Sequence, residues 1–238
     1  MPTPHARSQI LIGDDGLDRL RQKTVLIAGL GGVGGYCAEA VARAGVGQMI
    51  ILDHDTVSPS NLNRQLLALH STLGRKKTEV MRERLLDINP DLRIHRVHQF
   101  LADEPLVTLA SANYSAVIDA IDTLSPKVFL IKIALEHGNR VISSMGAGAR
   151  LDPTKITAGP FWAVEHCRLA STMRKRFRRI GFVEDFTAVY STELATAQAV
   201  VHNESERNKK SSVGSISYIT CIFGAMVAGE AIRAIIQR

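Results

Sequence analysis

The chain has 238 residues, of which 45% are hydrophobic and 22% are charged, and its formal net charge is +6 at pH 7. This composition is that of a globular protein with a substantial core, and it excludes a disordered chain or a bundle of membrane helices. The positive charge favours an anionic partner such as a nucleotide or RNA. The three cysteines form no CxxC pair. That argues against a zinc ribbon or a disulfide framework and favours a reducing, cytoplasmic compartment.

Neither end of the chain predicts an integral membrane segment. The N-terminal residues MPTPHARSQ lack the apolar core of a signal peptide. The longest apolar stretch, residues 219–229, is shorter than the roughly 20 residues that span a bilayer. Because Glu230 and Arg233 follow it, we expect a buried C-terminal helix.

Apolar strands and helices alternate up to about residue 150. A short helix at 16–22 leads into TVLIAG at 24–29, an apolar run typical of a parallel strand buried on both faces. A turn and a helix are expected over 30–44. The further elements are strands at 48–53, 92–100, 115–122 and 140–148 and helices at 76–90, 104–112 and 125–137. This order predicts an α/β fold with a Rossmann-like, doubly wound, mainly parallel sheet that binds ligands at the carboxyl ends of its strands.

The alternation stops after about residue 150. Residues 160–181 are rich in arginine, and residues 204–215 are predicted to form an exposed loop. We therefore expect a single domain over 1–238, with a nucleotide-binding core at about 22–150 and a C-terminal extension over 151–238.

A glycine-rich loop joins the first buried strand to the helix that follows. Residues 29–34, GLGGVG, match G-x-G-x-x-G, a pattern that lets a phosphate approach the backbone at a helix N-terminus. Asp53 ends the next strand, where a carboxylate can bind ribose hydroxyls. The order of strand, loop, helix, strand and acid predicts a nucleotide site. Its loop glycines are Gly29, Gly31, Gly32 and Gly34.

The segment SPSNLNRQ, residues 58–65, follows this acid and has no evident use in a dehydrogenase. An adenylating enzyme must stabilise negative charge on the triphosphate as pyrophosphate leaves, and arginine, lysine and a carboxylate-bound metal do this. Arg64, Lys77 and Asp122 are all expected at the edge of the sheet that carries the glycine loop. Each alone could be a solvated surface charge, but together they favour ATP as the nucleotide.

Four motifs carry a resemblance to a known family: LDHDTVSPSNLNRQ, GRKKTEVM, INPDLRI and VIDAIDT. They resemble the ThiF-like adenylyltransferases, relatives of the ubiquitin-activating enzymes, and the likeness runs from about Arg7 to the C-terminus. It implies ATP-dependent adenylation of a carboxylate with release of pyrophosphate. It further implies that Asp122 binds Mg²⁺ and that Arg7 reaches into the site of a neighbouring subunit in a homodimer.

The resemblance also assigns roles to the nucleotide-binding residues. Gly31 and Gly34 are implied to cradle phosphate, and Asp53 to bind ribose. The residues implied to contact the triphosphate are Asn61, Arg64, Lys77 and, as a weaker candidate, Gln65.

The segment SMGAGARLDPTKI, residues 144–156, is similar to one branch of the family, the tRNA threonylcarbamoyladenosine dehydratases. This implies that the activated carboxylate belongs to the threonine moiety of a modified adenosine in tRNA. The neighbouring carbamoyl group would then close a ring with loss of AMP, and no enzyme thiol is needed. Whether a sulfur-relay protein assists is left open.

Other functions remain possible at this point. The chief alternative is activation of the C-terminal carboxylate of a ubiquitin-like sulfur carrier, for which Cys167, beside His166, would be the candidate nucleophile. An ordinary cysteine on a partly buried helix explains Cys167 better. A third possibility is a nucleotide-binding scaffold without catalytic activity.

The segment MRKRFRR, residues 173–179, predicts a basic helix surface suited to the phosphate backbone of tRNA. A solvated helix or a dimer contact explains the pattern equally well. The candidate tRNA-binding residues are Arg174, Lys175, Arg176, Arg178 and Arg179.

Overall fold

The computed structural model describes residues 4–101, 103–196, 199–202 and 211–237. The helices are α1 (Ala6–Arg21), α2 (Gly34–Arg43), α3 (Lys77–Ile88), α4 (Asp103–Ser111), α5 (Leu124–Glu136), α6 (Arg168–Arg179) and α7 (Ser217–Ile236). The strands are β1 (Thr24–Ala28), β2 (Gln48–Leu52), β3 (Arg93–Val97), β4 (Ala116–Asp119), β5 (Val141–Ser144), β6 (Ile156–Pro160), β7 (Thr187–Ser191), β8 (Val200–His202) and β9 (Ser211–Val213).

Seven strands form one sheet in the order β3-β2-β1-β4-β5-β7-β6. Every neighbouring pair in it is parallel except β6 and β7, which are antiparallel. The strand order reverses between β1 and β4, and the crevice at their carboxyl ends is where doubly wound sheets bind ligands. The predicted Rossmann-like, mainly parallel sheet is confirmed.

The sheet is buried on both faces. In β1, Val25 and Ile27 belong to the core that contains Phe223 and Val227 of α7, whereas Leu26 belongs to the opposite core with helices α4, α5 and α6. Successive side chains of a strand point to opposite faces, so a continuous apolar run supplies both cores at once.

The C-terminal part of the chain contributes to the same sheet through β6 and β7, while β8 and β9 pair with each other. The division at about residue 150 stays a prediction. The predicted exposed loop at 204–215 was wrong for 211–213, which form β9 because residues 200–202 provide a pairing partner. Positions 204–210 of that loop lie outside the described residues.

Helix α7 is the C-terminal helix that the sequence predicts, with Ile219, Phe223 and Val227 buried, but it is longer than the apolar stretch at 219–229. It spans 20 residues, most of which are apolar. Among the described residues it is the one helix long and apolar enough to cross a membrane, although the stretch at 219–229 alone is too short. The same properties fit a core helix, and α7 does pack closely on α2: a Cβ on Gly224 would lie 2.5 Å from the Val33 carbonyl oxygen.

The N-terminal helix is longer than predicted, and the two edge strands of the sheet carry polar residues or proline. Helix α1 begins at residue 6 instead of residue 16, and its backbone is not helical at Gly13, where φ is 71°. Edge strand β3 includes Arg93, His95 and Arg96, and edge strand β6 ends at Pro160.

Candidate active site

Two glycines of the 29–34 loop are required by close backbone packing. Gly29 has a φ of +93°, and a Cβ there would lie 2.7 Å from the Ala120 carbonyl oxygen at the end of β4. A Cβ on Gly34 would lie 1.8 Å from the Gly29 carbonyl oxygen. These contacts hold the loop tightly between β1, β4 and the N-terminus of α2.

The other two glycines differ in their surroundings. A Cβ on Gly32 would lie 3.1 Å from Cβ of Thr220 on α7. A Cβ on Gly31 would meet only Nε2 of Gln65, at 3.8 Å. Gly31 therefore borders open space at the N-terminus of α2, where backbone N–H groups and the helix dipole favour an anion.

Asp53 connects the end of β2 to the glycine loop. Its side chain is buried, its Oδ2 accepts a hydrogen bond from the Leu30 N–H at 2.7 Å, and its Oδ1 accepts one from the Asp55 N–H at 2.8 Å. The sequence predicts a ribose-binding acid here. The structure adds that this carboxylate also fixes the shape of the loop.

Lys77 is buried beside two acids. It is only 3% exposed, and its Nζ lies 2.8 Å from Oδ2 of Asp55 and 4.0 Å from Oδ1 of Asp53. The solvated surface charge that the sequence allowed for Lys77 is therefore excluded. Its ammonium group lies at the carboxyl edge of the sheet, next to the acid that holds the glycine loop.

The SPSNLNRQ segment packs beside this edge. Asn61 is buried, and its Oδ1 accepts a hydrogen bond from the Ser58 N–H at 3.1 Å, which stabilises the 3-10 turn Pro59–Asn61. Arg64 is folded back, with Nη1 donating to the Ser60 carbonyl at 2.8 Å. Gln65 is buried, and its Oε1 has no hydrogen-bond partner among the described residues. The Gln65 side chain, one residue after Arg64, thus lies close to the open side of Gly31.

Asp122 lies just beyond the carboxyl end of β4. It is exposed and accepts a hydrogen bond from the Thr123 hydroxyl at 3.3 Å. An exposed carboxylate is a suitable ligand for Mg²⁺, which prefers oxygen ligands and keeps several waters.

A second group of acids is less suitable for a metal ion. Ligand atoms of Asp53, His54 and Asp55 lie within 4.8 Å of one another. Both oxygens of Asp53 already accept backbone hydrogen bonds, and Asp55 pairs with Lys77. This leaves little free negative charge for a cation.

Sequence reasoning missed a buried ion pair beneath Asp122. The Nζ of Lys127 lies 2.5 Å from Oδ2 of Asp119, and both side chains are fully buried. Lys127 also donates to the carbonyls of Ile121 and Ser144, and the Ser143 hydroxyl donates to Asp119. A lysine inside the apolar helix LSPKVFLIKIALE is the sequence signal that could have revealed the pair.

Sequence reasoning also missed a cavity of about 500 Å³ at the carboxyl end of β3. His98 lies beside it in the chain, with Nδ1 3.2 Å from the Asp53 carbonyl oxygen. Burial raises the pKa of Tyr114, which lines the cavity. The other lining residues are Val97, Gln99, Leu101, Glu104, Pro105, Thr108 and Leu109. The cavity depends on the approach of β3 to α4, which no local pattern shows.

Arg7 is not brought to this site within one chain. It is exposed on α1, two residues after His5, whose ring lies 3.3 Å from a Cβ built on Gly45. Gly45 follows the C-terminal end of α2, whereas the glycine loop precedes its N-terminus. The ten residues of α2 separate the two ends by about 15 Å.

The basic helix α6 has one apolar face, formed by Ala170, Met173 and Phe177. Arg174 is turned toward the protein, with Nη1 donating to the Val164 carbonyl at 2.7 Å. The Arg178 guanidinium lies 5.6 Å from the centre of the Trp162 ring. Lys175, Arg178 and Arg179 are exposed, and Arg176 is half-buried.

Cys167 occupies the N-cap of α6. It is 7% exposed, and its Sγ accepts a hydrogen bond from the Ala170 N–H at 3.5 Å. A capping role accounts for this cysteine without an activated thiolate.

The fold and these residues define a nucleotide-binding enzyme built on a doubly wound sheet. The chain belongs to the ThiF family, which it matches over residues 5–238. The family resemblance drawn from the motifs is therefore confirmed.

Several relatives are similar over nearly the whole chain. The tRNA threonylcarbamoyladenosine dehydratase of Bacillus subtilis (strain 168) is 31% identical, over 98% of this chain and 94% of the relative. A crystal structure of the Escherichia coli tRNA N6-threonylcarbamoyladenosine dehydratase, TcdA, in complex with ATP is similar with a TM-score of 0.88 at 29% identity. It covers 100% of this chain and 97% of that chain.

A different kind of relative matches only part of the chain. The molybdopterin-synthase adenylyltransferase of Salmonella typhimurium is 43% identical over 121 residues, which is 50% of this chain and 48% of that protein.

Proposed function

We propose that this enzyme uses ATP to dehydrate threonylcarbamoyladenosine in tRNA. A carboxylate oxygen of the threonine moiety attacks the α-phosphorus of ATP, and pyrophosphate leaves. The carbamoyl group then attacks the activated carbonyl, a ring closes, and AMP departs with the former carboxylate oxygen. The net change in the nucleoside is the loss of one water.

The observation that carries this proposal is the arrangement around the glycine loop. A buried lysine, a folded-back arginine and a buried glutamine with a free acceptor oxygen lie at one edge of the sheet. Lys77 and Arg64 supply positive charge where the triphosphate gains negative charge as pyrophosphate leaves. A hydride-transferring enzyme needs no such set of cations.

The nucleotide lies, in this proposal, across the carboxyl ends of β1 and β2. Gly31 and Gly34 face the phosphates, Asp53 accepts from the ribose hydroxyls, and Asn61 keeps the SPSNLNRQ segment against the triphosphate. Asp122 is the Mg²⁺ ligand. When bound, the metal neutralises charge on the phosphates.

The tRNA substrate is supported by the relatives that share the full length of the chain and by helix α6. Its exposed positions Lys175 and Arg179 lie on the face opposite the buried residues. Positive side chains along one helix face suit a phosphate backbone and predict binding that weakens with salt.

We also propose that the active form is a cytoplasmic homodimer in which Arg7 reaches the partner's site. Next to Arg7, the α1 side chains of Ile10 and Leu11 are 87% and 85% exposed. Adjacent exposed apolar residues of this kind favour burial against another surface. Mixing an Arg7→Ala chain with an Arg64→Ala chain tests this, because one intact site can form only in the mixed dimer.

The experiment that tests the function is incubation of the enzyme with ATP, Mg²⁺ and tRNA from cells lacking the cyclised base. Nucleoside mass analysis should show the loss of one water from threonylcarbamoyladenosine, with AMP produced in equal amount. An unchanged nucleoside would refute the proposal.

Activation of a sulfur carrier is the second candidate, because the 43%-identical relative matches half of the chain. It predicts ATP–pyrophosphate exchange that depends on a carrier protein with a C-terminal Gly-Gly. The dehydration assay with tRNA, repeated in the presence of a sulfur-relay protein, would also show whether that protein raises the turnover of dehydration.

A further inference from the structure

Arg150 has an unusual environment six residues beyond the end of β5. Its side chain belongs to a residue that is only 5% exposed. One nitrogen, Nη2, donates to the His166 carbonyl oxygen at 2.5 Å. In the part of the chain that the structure describes, Nε and Nη1 have no hydrogen-bond partner. Among the described residues, the buried and positively charged guanidinium therefore has three N–H groups without an acceptor, one on Nε and two on Nη1.

The acid beside Arg150 in the fold is already engaged. Glu193 accepts hydrogen bonds from the Leu151 N–H at 3.0 Å and from the Asp152 N–H at 2.9 Å. A buried charge without a partner is costly, and buried polar groups in folded proteins are nearly always satisfied. A ligand that brings a negative charge would remove this cost.

The backbone on both sides of the contact adopts an uncommon conformation. Ala149 has a φ of 58° and His166 a φ of 54°, and these are two of the three non-glycine residues with positive φ in the described chain. Left-handed backbone at such residues is strained, and strain of this kind is concentrated at functional sites. Here it presents the Arg150 side chain and the carbonyl that orients it.

The Arg150 turn is connected to the nucleotide site through residues 214 and 215. The Ala149 N–H donates to the Gly214 carbonyl at 2.8 Å, and the next carbonyl, that of Ser215, accepts from Nδ2 of Asn63 at 2.9 Å. Asn63 directly precedes Arg64. Arg150, which follows β5, is thus connected through hydrogen bonds to the SPSNLNRQ segment, which follows β2.

The surroundings of Arg150 also reach the protein surface. Leu151 is 61% exposed, and the side chain of His166 is 45% exposed. The basic helix α6 begins at Arg168, two residues after His166. Arg150 thus lies beneath exposed side chains that are close in the chain to the proposed RNA surface.

We propose that Arg150 is a binding residue for an oxyanion of the RNA substrate, separate from the groups that bind ATP. This rests on the proposed function. A guanidinium donates to carboxylate and phosphate with the same planar geometry. The oxyanion is therefore either the carboxylate of the modified adenosine or a backbone phosphodiester, and binding measurements distinguish the two.

The test compares wild type with Arg150→Met and Arg150→Lys, and uses Arg140→Met as the matched control. Arg140 is an exposed arginine at the opposite end of β5, so this control removes one positive charge away from the site. Each protein is titrated with tRNA that carries threonylcarbamoyladenosine and with the same tRNA carrying unmodified adenosine. ATP affinity and the melting temperature are measured alongside.

We expect Arg150→Met to weaken binding of the modified tRNA at least tenfold while its ATP affinity stays unchanged. The Arg140→Met control should bind tRNA as wild type does. Arg150→Lys should recover part of the loss. A loss confined to the modified tRNA identifies the carboxylate. An equal loss with both tRNAs, together with a salt slope reduced by about one, identifies a phosphodiester.

Other outcomes overturn the inference. Wild-type affinity of Arg150→Met for both tRNAs would do so. A lower melting temperature with parallel loss of ATP binding would show that Arg150 only supports the fold, since removing an uncompensated buried charge should leave stability equal or higher. Failure of the wild-type enzyme itself to bind or convert tRNA would instead refute the proposed function.

Discussion

The Nζ of Lys127 lies 2.5 Å from Oδ2 of Asp119, with both groups completely shielded from solvent. The pair lies directly beneath the Ala120–Asp122 turn: Asp119 accepts the Ile121 N–H at 3.1 Å, and Lys127 donates to the Ile121 carbonyl at 3.2 Å. It therefore sets the position of the turn that carries the proposed metal ligand.

Removing one partner of this pair should lower the free energy of unfolding more than removing both partners. Asp119→Asn or Lys127→Met leaves one buried charge unpaired, at a cost of about 3–5 kcal/mol. The double substitution should cost less than the sum of the two single ones. Urea unfolding of the four proteins gives the coupling free energy, and strict additivity would contradict the proposed pairing.

Gly34 and Gly31 of the glycine-rich loop should respond differently to substitution by alanine, one through stability and the other through ATP affinity. Gly34→Ala places a Cβ 1.8 Å from a carbonyl oxygen and should severely destabilise the fold. Gly31→Ala meets only Nε2 of Gln65 at 3.8 Å, so it should fold normally but bind ATP at least tenfold more weakly. Thermal melting and ATP titration separate the two effects. A Gly31→Ala protein with wild-type ATP affinity would place the phosphates elsewhere.

Arg64→Ala should lower turnover by about two to three orders of magnitude, because the guanidinium stabilises charge that develops in the transition state. The melting temperature should change little, since the Arg64 side chain bonds, among the described residues, only within its own segment, to Ser60 and Asn63. Pyrophosphate release measures turnover. The matched control is Arg75→Ala, which removes a half-buried arginine paired with Glu83 and should leave turnover near wild type. Near-normal turnover of Arg64→Ala would remove Arg64 from the mechanism.

Cys167→Ser should retain nearly full activity, because the hydroxyl can replace Sγ at the N-cap of α6. Dehydration of tRNA is the activity to be measured, with the melting temperature as the check on folding. A well-folded Cys167→Ser enzyme without activity would indicate a thioester and favour the sulfur-carrier reaction.

Glu39 should make stability depend on pH. Burial opposes its ionisation, but hydrogen bonds from Arg84 and Arg43 outweigh that effect and lower the pKa of its carboxyl. A group with a lowered pKa stabilises the fold above its unfolded pKa and loses this contribution as the pH falls through the folded value. Glu39→Gln should therefore be less stable than wild type at pH 7, and the difference should shrink below about pH 4. Unfolding free energies at several pH values test this; a constant difference would contradict it.

The sequence predicted the features that depend on local pattern. TVLIAG and QMIILD are continuous apolar runs, so their burial on both faces follows directly, and the glycine loop is recognisable from spacing alone. Gly13 shows the limit of this reasoning, because a glycine with a φ of 71° hides the first half of α1.

Features that depend on distant segments could not be predicted. From the sequence, Lys77 is a surface lysine, because its burial depends on contacts with Asp53 and Asp55. The sequence also assigns Asp53 only to ribose, because the hydrogen bond from the Leu30 N–H is a contact between distant segments. The assigned roles of these residues and of Arg7 stay predictions. The burial of Arg150 and its unpaired donors likewise depend on a distant segment, since the Arg150 side chain bonds to the His166 carbonyl.

The residues of the two edge strands, β3 and β6, affect how copies of the enzyme associate at high concentration. Proline at the end of β6 supplies no N–H to an incoming strand, and the arginines of β3 would bring like charges together if two such edges met. Neither margin of the sheet is a good template for adding strands from another chain. Growth of a fibre by strand addition at these two margins is thereby disfavoured.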